Sequence, residues 1–262
     1  MITMGLDIGS TSSKAVILKD GQEVLARQLI GLGTGTAGPD QVYTLALEEA
    51  GIRRSDLDHL MVTGYGRLTF PEADDQISEV SCHGRGVAWL LPGTRTIIDI
   101  GGQDIKALQV NGQGRLTNFV MNDKCAAGTG RFLDVMARVL DVPVTSLETL
   151  SAQSTHPANI SNICTVFAES EVISHLSAGI AICDIVAGIH DSVARRAASL
   201  AMRIGVMGPV AMSGGVALNG GVVSAVSKEL RCPIQTHKDA QLAGAYGAAL
   251  LGWERLVAKR SQ

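Results

Sequence analysis

The sequence of 262 residues has few aromatic side chains, no excess of positive charge and no long apolar run. Phe, Trp and Tyr make up 3% of the residues, so the core is expected to pack mainly Ala, Val, Ile and Leu. Lysine and arginine number 22 against 25 aspartates and glutamates, which disfavours a dedicated nucleic-acid binder and polybasic docking to a membrane. No stretch reaches the roughly 18 apolar residues that cross a bilayer, and no signal peptide is visible. We therefore expect a soluble, cytoplasmic protein that contacts neither nucleic acid nor membrane.

Two common site motifs are also missing. No CxxC pair occurs among the five cysteines, which excludes a zinc ribbon or a thioredoxin-type site. Their odd number and the missing secretion signal make a disulfide scaffold unexpected. Cys82, Cys183 and Cys232 stand in or beside apolar segments and are interpreted as core or incidental thiols. No GxxxxGK[ST] segment is present, which excludes a P-loop ATPase.

One pattern occurs twice. An apolar strand that ends in Asp-Ile-Gly opens the sequence and recurs in its middle, with Asp7 in the first copy and Asp99 in the second. A lysine follows each aspartate by seven positions, at Lys14 and Lys106. Asp-Gly and Asn-Gly dipeptides further along indicate hairpin turns. The pattern predicts antiparallel strands with a polar tip, in place of the strand–loop–helix of a Rossmann unit.

The repeat also predicts the domain organisation, because self-similarity at half-chain scale indicates two related lobes. We place the boundary near residues 92–95. The N-terminal lobe then covers residues 1–93 and the C-terminal lobe residues 94–262, with the last helix free to pack back on the first lobe. The C-terminal lobe is expected to be mostly helical after its own strands.

The turn after each Asp-Ile-Gly suits a phosphate. Glycine lets the backbone approach closely, and the turn presents N–H groups and hydroxyls. Mg²⁺ prefers oxygen ligands, so Asp7 and Asp99 are assigned to a Mg²⁺–phosphate site. The other predicted phosphate contacts are Gly9, Ser10, Thr11, Ser12 and Lys14 in the first turn, and Gly101, Gly102 and Gln103 in the second. For Lys14 and Lys106 an ordinary surface position stays open.

A third glycine turn follows a buried strand at residues 213–221. Gly214, Gly215 and Asn219 are assigned there to the ribose, adenine or α-phosphate end of a nucleotide. Two hairpins and one such turn resemble the actin-like ATPase superfamily, which includes sugar and acetate kinases, actin and the heat-shock chaperone ATPases. The resemblance implies an α/β fold with two lobes around a nucleotide cleft. Gln103 or Asp104, at the second hairpin tip, is a candidate for orienting the attacking water.

Two cysteine segments carry a further signal. Cys125 lies in the segment Asn122–Leu133 and Cys164 in the segment Asn162–Val172, each directly before a predicted helix. A helix N-terminus favours a thiolate, and thiolates of this kind suit an iron–sulfur cluster. Two cysteines are too few for a four-cysteine site, but a twofold dimer would supply four.

With these segments the sequence resembles the BadF/BadG/BcrA/BcrD-type ATPase family, which holds the activators of 2-hydroxyacyl-CoA dehydratases and ATPase subunits of benzoyl-CoA reductase. The resemblance covers nearly the whole chain, including a segment that begins at Ala243 and Gly244. It implies one 4Fe–4S cluster shared by a homodimer, with Cys125 and Cys164 as each chain's ligands. It also implies ATP/ADP and Mg²⁺ as cofactors, a ferredoxin or flavodoxin as electron donor, and a separate dehydratase that receives a low-potential electron. Ala243 and Gly244 are carried over as nucleotide contacts.

Two other functions stay open. One is a small-molecule kinase of the same fold, such as a sugar kinase, although nothing in the sequence marks a sugar pocket. The other is a cluster-free, nucleotide-dependent interaction protein. Glu169 and Glu171 either contact charged groups near the nucleotide or cap a helix. The six histidines show no metal-like spacing and are expected to be solvated.

Overall fold

The structure is a computed structural model, and it describes residues 1–122 and 124–260. The chain divides into two compact units. Unit 1 contains Met1–Thr94, Val110–Thr117 and the segment from Asp239 onward, and unit 2 contains Arg95–Gln109 and Asn118–Lys238. The assignment of residues 1–93 and 94–262 to two functional lobes stays a prediction.

Unit 1 is built around a five-stranded sheet. Its main elements are β1 Ile2–Ile8, β2 Ser13–Lys19, β3 Glu23–Ile30, α1 Gly38–Ala50, β4 His59–Thr63, β5 Asp75–Gln76, α2 Glu79–Leu90 and α8 Ala243–Arg260. The strand order is β3-β2-β1-β4-β5. The first three strands are antiparallel, whereas β4 runs parallel to β1 and β5 parallel to β4.

A second sheet has its strands in the corresponding order. The elements that follow α2 are β6 Thr96–Ile100, β7 Ile105–Val110, β8 Leu116–Asn122, α3 Gly130–Val139, α4 Leu147–Ser151, α5 Thr165–Ser177, α6 Ile182–Met202, β9 Val210–Ser213, α7 Gly220–Leu230 and β10 Ile234–Gln235. The strand order β10-β9-β6-β7-β8 matches that of unit 1 element by element when it is written from β8. The repeat predicted from the sequence is therefore a repeat of topology.

The cores of the two sheets explain why these segments form strands. From Thr3 to Ile8 every residue of β1 is buried, and β6 is buried over its full length. Strands buried on both faces are expected to be continuously apolar and to lack the alternation of a half-exposed strand. In unit 1, α8 packs on β1 and α2 packs on α8, and the stacked rings of Trp89 and Tyr246 lie 5.1 Å apart.

Several predicted boundaries were wrong. Helix α3 begins at Gly130 and not directly after Cys125 as predicted, because Gly128 has a left-handed φ of 81° and Thr129 is extended. The sequence predicts the start of the last helix at Asp239, but α8 begins at Ala243, after a short 3-10 turn at Ala240–Leu242. The short elements β5, β10 and α4 were missed, since two to five residues are too few to show a period. In the part of the chain that is described, no helix has both the length and the apolar character of a membrane span.

The packing of α8 generates a test of stability. Tyr246 is 1% exposed whereas Tyr65 is 77% exposed, so the same substitution removes very different contacts. We expect Tyr246→Ala to lower the free energy of unfolding by about 3–5 kcal/mol, since it leaves a cavity in the core. Tyr65→Ala is expected to change it by less than about 0.5 kcal/mol. Urea titration followed by circular dichroism measures both, and equal effects would contradict the burial of Tyr246.

Candidate functional site

The first hairpin places an aspartate and a lysine opposite each other. In the antiparallel register of β1 and β2, Asp7 pairs with Lys14, and Lys14 Nζ lies 3.4 Å from Asp7 Oδ2. The tip is closed by the N–H of Gly9, which donates to the carbonyl of Ser12 at 3.0 Å. The predicted contact residues Gly9, Ser10, Thr11, Ser12 and Lys14 thus share one turn and its flanking strand.

The second hairpin repeats this arrangement and buries it more deeply. Asp99 pairs with Lys106 in the register of β6 and β7, and the two are 1% and 2% exposed. Lys106 Nζ donates to Asp99 Oδ2 at 3.3 Å and to Asp104 Oδ2 at 2.6 Å. The alternative of a surface position for Lys106 is therefore wrong. Gly101 and Gly102 lie at the tip of the hairpin. Gln103 is exposed there, whereas the Asp104 carboxylate accepts the hydrogen bond from Lys106.

Each aspartate has a third neighbour, a hydroxyl residue, that the sequence did not assign to it. Because β4 and β9 run parallel to the aspartate strands, Thr63 pairs with Asp7 and Ser213 pairs with Asp99. Ser213 Oγ donates to Asp99 Oδ1 at 2.8 Å. The Thr63 hydroxyl instead donates to the carbonyl of Ile77 at 2.9 Å. A hydroxyl residue followed by glycine, after a buried strand, was the signal that could have found Thr63.

Each of these hydroxyl residues is followed by a position whose backbone conformation requires glycine. Gly64 has a φ of 88° and Gly214 a φ of 83°, a region that other residues rarely adopt. A Cβ on Gly64 would lie 2.5 Å from Asp7 Oδ1, and one on Gly214 would lie 3.0 Å from Asp99 Oδ1. The backbone therefore passes directly beside Asp7 at Gly64 and directly beside Asp99 at Gly214. Backbone groups at each glycine can approach a ligand of the neighbouring aspartate.

The remaining predicted nucleotide contacts fall in both units. In unit 2, Gly214 and Gly215 lead into a 3-10 turn and Asn219 forms the N-cap of α7, where its side chain accepts a hydrogen bond from Val222 N. In unit 1, Ala243 and Gly244 are the first residues of α8. A Cβ on Gly244 would lie 2.8 Å from Asp7 Oδ2, so this end of α8 belongs to the surroundings of Asp7.

The two singled-out cysteines lie on neighbouring loops of unit 2. Cys125 Sγ donates to the carbonyl of Ile163 at 3.9 Å, and Ile163 directly precedes Cys164. Cys164 is the N-cap residue of α5, as predicted. Cys125 lies in a loop five positions before α3 begins, so the expected helix N-terminus at Cys125 is wrong. Both thiols are partly buried, and Asp123, in the same segment, lies outside the described residues.

The chain alone does not assemble a complete metal site in its described part, where no three His, Cys, Asp or Glu side chains gather as ligands. Two thiols on adjacent loops are half of a four-thiolate set. Among the other cysteines, Cys82 is fully buried as predicted, and desolvation raises the pKa of its thiol to about 12. Cys183 and Cys232 are partly buried.

The second hairpin also contacts the segment that carries Cys125. The carbonyl of Gly101 accepts a hydrogen bond from Gly130 N, and the carbonyl of Gly102 accepts one from Arg131 N, both at 2.9 Å. These N–H groups are in the first turn of α3, where donors have no partner within the helix. Thr129, just before α3, returns to the cysteine loop through a hydrogen bond from its hydroxyl to the carbonyl of Ala126 at 2.7 Å.

Three histidines contradict the expectation that all six are solvated. His59, His83 and His190 are buried, and burial lowers the pKa of His190 to about 4. They lie on β4, α2 and α6, respectively. Sequence spacing gave no signal of their burial, because a lone histidine in an apolar segment looks the same whether it faces the core or solvent.

The buried lysine of the second hairpin generates a test. Lys106→Met is expected to lower the free energy of unfolding by about 3–5 kcal/mol, because it leaves the Asp99 carboxylate buried without its cation. Lys19→Met is the matched control: its ion pair with Glu23 joins two side chains more than half exposed, and such pairs contribute little. Denaturant titration compares the two. A Lys106→Met protein as stable as Lys19→Met would show that the buried pair does not hold the hairpin.

The chain is closely similar to known proteins along its whole length. It is 56% identical over 262 residues to the 2-hydroxyisocaproyl-CoA dehydratase activator of Clostridioides difficile, a match that covers 100% of this chain and 98% of that protein. It is 52% identical over 254 residues to the (R)-2-hydroxyglutaryl-CoA dehydratase activating ATPase of Acidaminococcus fermentans, covering 97% of each chain.

The solved structures agree with the actin-like fold predicted from the sequence. The activator of the 2-hydroxyisocaproyl-CoA dehydratase from Clostridium difficile, with bound ADPNP, superposes with a TM-score of 0.95 at 54% identity, covering 100% of this chain and 97% of that one. A glucokinase of the ROK family from Streptomyces griseus gives a TM-score of 0.60 at 15% identity, covering 97% of this chain and 100% of the kinase, which shows the fold alone. Residues 4–252 match the BadF/BadG/BcrA/BcrD ATPase family, and the chain belongs to that family.

Proposed function

We propose that the protein is an ATP-hydrolysing activator that passes a low-potential electron to a 2-hydroxyacyl-CoA dehydratase or a related CoA-thioester reductase. The names of the two relatives, an activator and an activating ATPase of such dehydratases, support this function. They favour it over the small-molecule kinase, for which the likeness extends to the fold only. A cluster-free interaction protein would give no reason for two neighbouring thiols.

ATP is proposed to bind through both hairpins and the third turn. The bound ADPNP in the Clostridium difficile structure supports this ligand. Asp7 and Asp99 supply carboxylate oxygens of the kind that hold Mg²⁺, directly or through water. Of the two candidates for orienting the attacking water, Gln103 has its amide exposed whereas the Asp104 carboxylate is engaged by Lys106. We therefore favour Gln103 for that role.

The hydrogen bonds between the second hairpin and α3 support a coupling between the bound nucleotide and the loop of Cys125. Gly101 and Gly102 are proposed phosphate contacts, and their carbonyls accept the first N–H groups of α3. A shift of the hairpin between ATP and ADP would change these two hydrogen bonds. The same helix follows the loop of Cys125, so the nucleotide state can be transmitted to the thiol through contiguous backbone contacts.

The cysteine pair fits a 4Fe–4S cluster shared by two chains. Cys125 and Cys164 would supply two of four thiolates, and a twofold axis would supply the rest. When bound, the cluster supplies one-electron redox chemistry. The surface beside the cysteines supports a homodimer, because Ile163, Val166 and Phe167 are each about two-thirds exposed. Apolar side chains grouped in this way are typical of a protein interface.

The proposed activity also requires an electron donor, an electron acceptor and an environment without oxygen. A ferredoxin or flavodoxin is the proposed electron donor, and the dehydratase component is the acceptor that binds the acyl-CoA. An oxygen-free cytoplasm is the proposed setting, since exposed clusters are oxidised readily. Each of these is carried over from the family resemblance and stays a prediction for this chain.

Substitution of the cysteines tests the proposal. In anaerobically purified protein reconstituted with iron and sulfide, Cys125→Ser and Cys164→Ser are each expected to lose the cluster, because each removes two of the four thiolates of a dimer. Binding of ADP should persist within about threefold, since neither thiol belongs to the nucleotide contacts. Iron and sulfide analysis and the visible spectrum measure the cluster content, and calorimetry measures the binding of ADP.

Cys232→Ser is the matched control, because Cys232 is partly buried like the two ligands but lies on the loop after α7. It should keep a wild-type cluster content. A wild-type protein that takes up no iron, or a Cys125→Ser protein that keeps its full cluster, would contradict the proposed ligation.

A further inference from the structure

The side chain of Asn219 is held from two directions. Its Oδ1 accepts a hydrogen bond from Val222 N at 3.1 Å, which caps α7. Because that oxygen faces the helix, the amide Nδ2 points the other way and lies 3.4 Å from Nε2 of His190 on α6. Asn219 belongs to the proposed nucleotide turn, whereas His190 is buried, with 2% of its surface exposed.

The contact fixes the state of the histidine ring. An amide NH₂ group donates hydrogen bonds and cannot accept them, so Nε2 must be the unprotonated nitrogen. The proton of the neutral ring then sits on Nδ1, which has no hydrogen-bond partner among the described residues. Burial favours this neutral ring, because it lowers the pKa of His190 to about 4.

The sequence around the turn accommodates the ring. A Cβ on Gly221 would lie 2.6 Å from His190 Nδ1 and 2.6 Å from Ser151 Oγ, so a larger residue at 221 would push the ring away. On the other side of the turn, the carboxylate of Glu148 accepts a hydrogen bond from Gly220 N at 2.9 Å. The residues 219–221 are thus braced by side chains of α4 and α6.

We propose that His190 is a positioning residue for nucleotide binding, which acts by accepting a hydrogen bond from Asn219 and so fixing that side chain within the nucleotide turn. The inference rests on the proposed nucleotide-binding function of Asn219. His190 contacts no nucleotide in this proposal and takes no part in hydrolysis. Its replacement is therefore expected to change the affinity for the nucleotide and to leave kcat unchanged.

Two substitutions of nearly equal length separate the hydrogen bond from packing. His190→Gln keeps an acceptor oxygen, whereas His190→Met keeps the bulk and lacks an acceptor of that strength. We expect His190→Met to raise the Kd for ADP and the KM for ATP by about three- to tenfold with kcat within about twofold, the effect of one neutral hydrogen bond. His190→Gln should stay within about twofold of wild type. Wild-type values for His190→Met, or equal losses in both variants, would overturn the inference.

A double substitution tests whether His190 acts through Asn219. Asn219→Ser keeps a capping oxygen for α7 and removes the amide donor. In that background, His190→Met should cause no further change in the Kd for ADP. A further loss of the same size as in wild type would show that His190 does not act through Asn219.

The tautomer provides a measurement that needs no variant and keeps the inference testable if His190→Met fails to fold. In ¹⁵N-histidine-labelled wild-type protein at neutral pH, NMR should show His190 protonated on Nδ1. Protonation on Nε2 would overturn the inference. A wild-type protein that binds no ADP would refute the proposed function and this inference with it, whereas normal ADP binding with an unaffected His190→Met would refute this inference alone.

Discussion

The structure depends on one constraint above others, the burial of a lysine–aspartate pair at the end of a central strand. Asp99 and Lys106 are almost completely removed from solvent, and Asp104 and Ser213 form hydrogen bonds with them. Charges buried in this way are tolerated only when each finds its partners. The hairpin must therefore bring β7 back in register, and β9 must end beside Asp99. The geometry of the second hairpin and of the third turn follows from the need to provide hydrogen-bond partners for the buried carboxylate of Asp99.

The first half contains an equivalent aspartate–lysine pair, but the neighbouring hydroxyl group does not bind its aspartate. Asp7 and Lys14 occupy the equivalent register, and Gly64 passes beside Asp7 as Gly214 passes beside Asp99. The Thr63 hydroxyl, however, is directed to the backbone of Ile77. The ion pair of the second half is the more deeply buried one, and its hairpin accepts hydrogen bonds from the N-terminus of α3. A hairpin fixed by a buried ion pair is suited to passing a small displacement to a neighbouring helix, because packed elements do not deform continuously.

Much of this was predictable because it is local in sequence. The Asp-Ile-Gly repeat and its lysine seven positions later predicted both hairpins, and the family resemblance predicted the fold. The positions of Thr63 beside Asp7 and of Ser213 beside Asp99 were not predicted, because parallel pairing joins residues far apart in the chain. The start of α3 was placed too early because Ala126 and Ala127 are good helix formers, and the left-handed φ of Gly128, which keeps them out of the helix, is visible only in the structure. The burial of His190 was missed because it depends on α7 packing over α6, which no local pattern records.

The central proposal is that Asp7 and Asp99, the aspartates of the two hairpins, each contribute to Mg²⁺-dependent nucleotide binding. Calorimetric titration with ADPNP in the presence and absence of Mg²⁺ tests it most directly. The account predicts one nucleotide per chain, with Mg²⁺ strengthening binding, and it predicts that Asp7→Asn and Asp99→Asn each abolish most of the Mg²⁺ dependence. Asp20→Asn, at an exposed hairpin turn, should titrate as wild type. Wild-type Mg²⁺ dependence in either Asp7→Asn or Asp99→Asn would contradict the account.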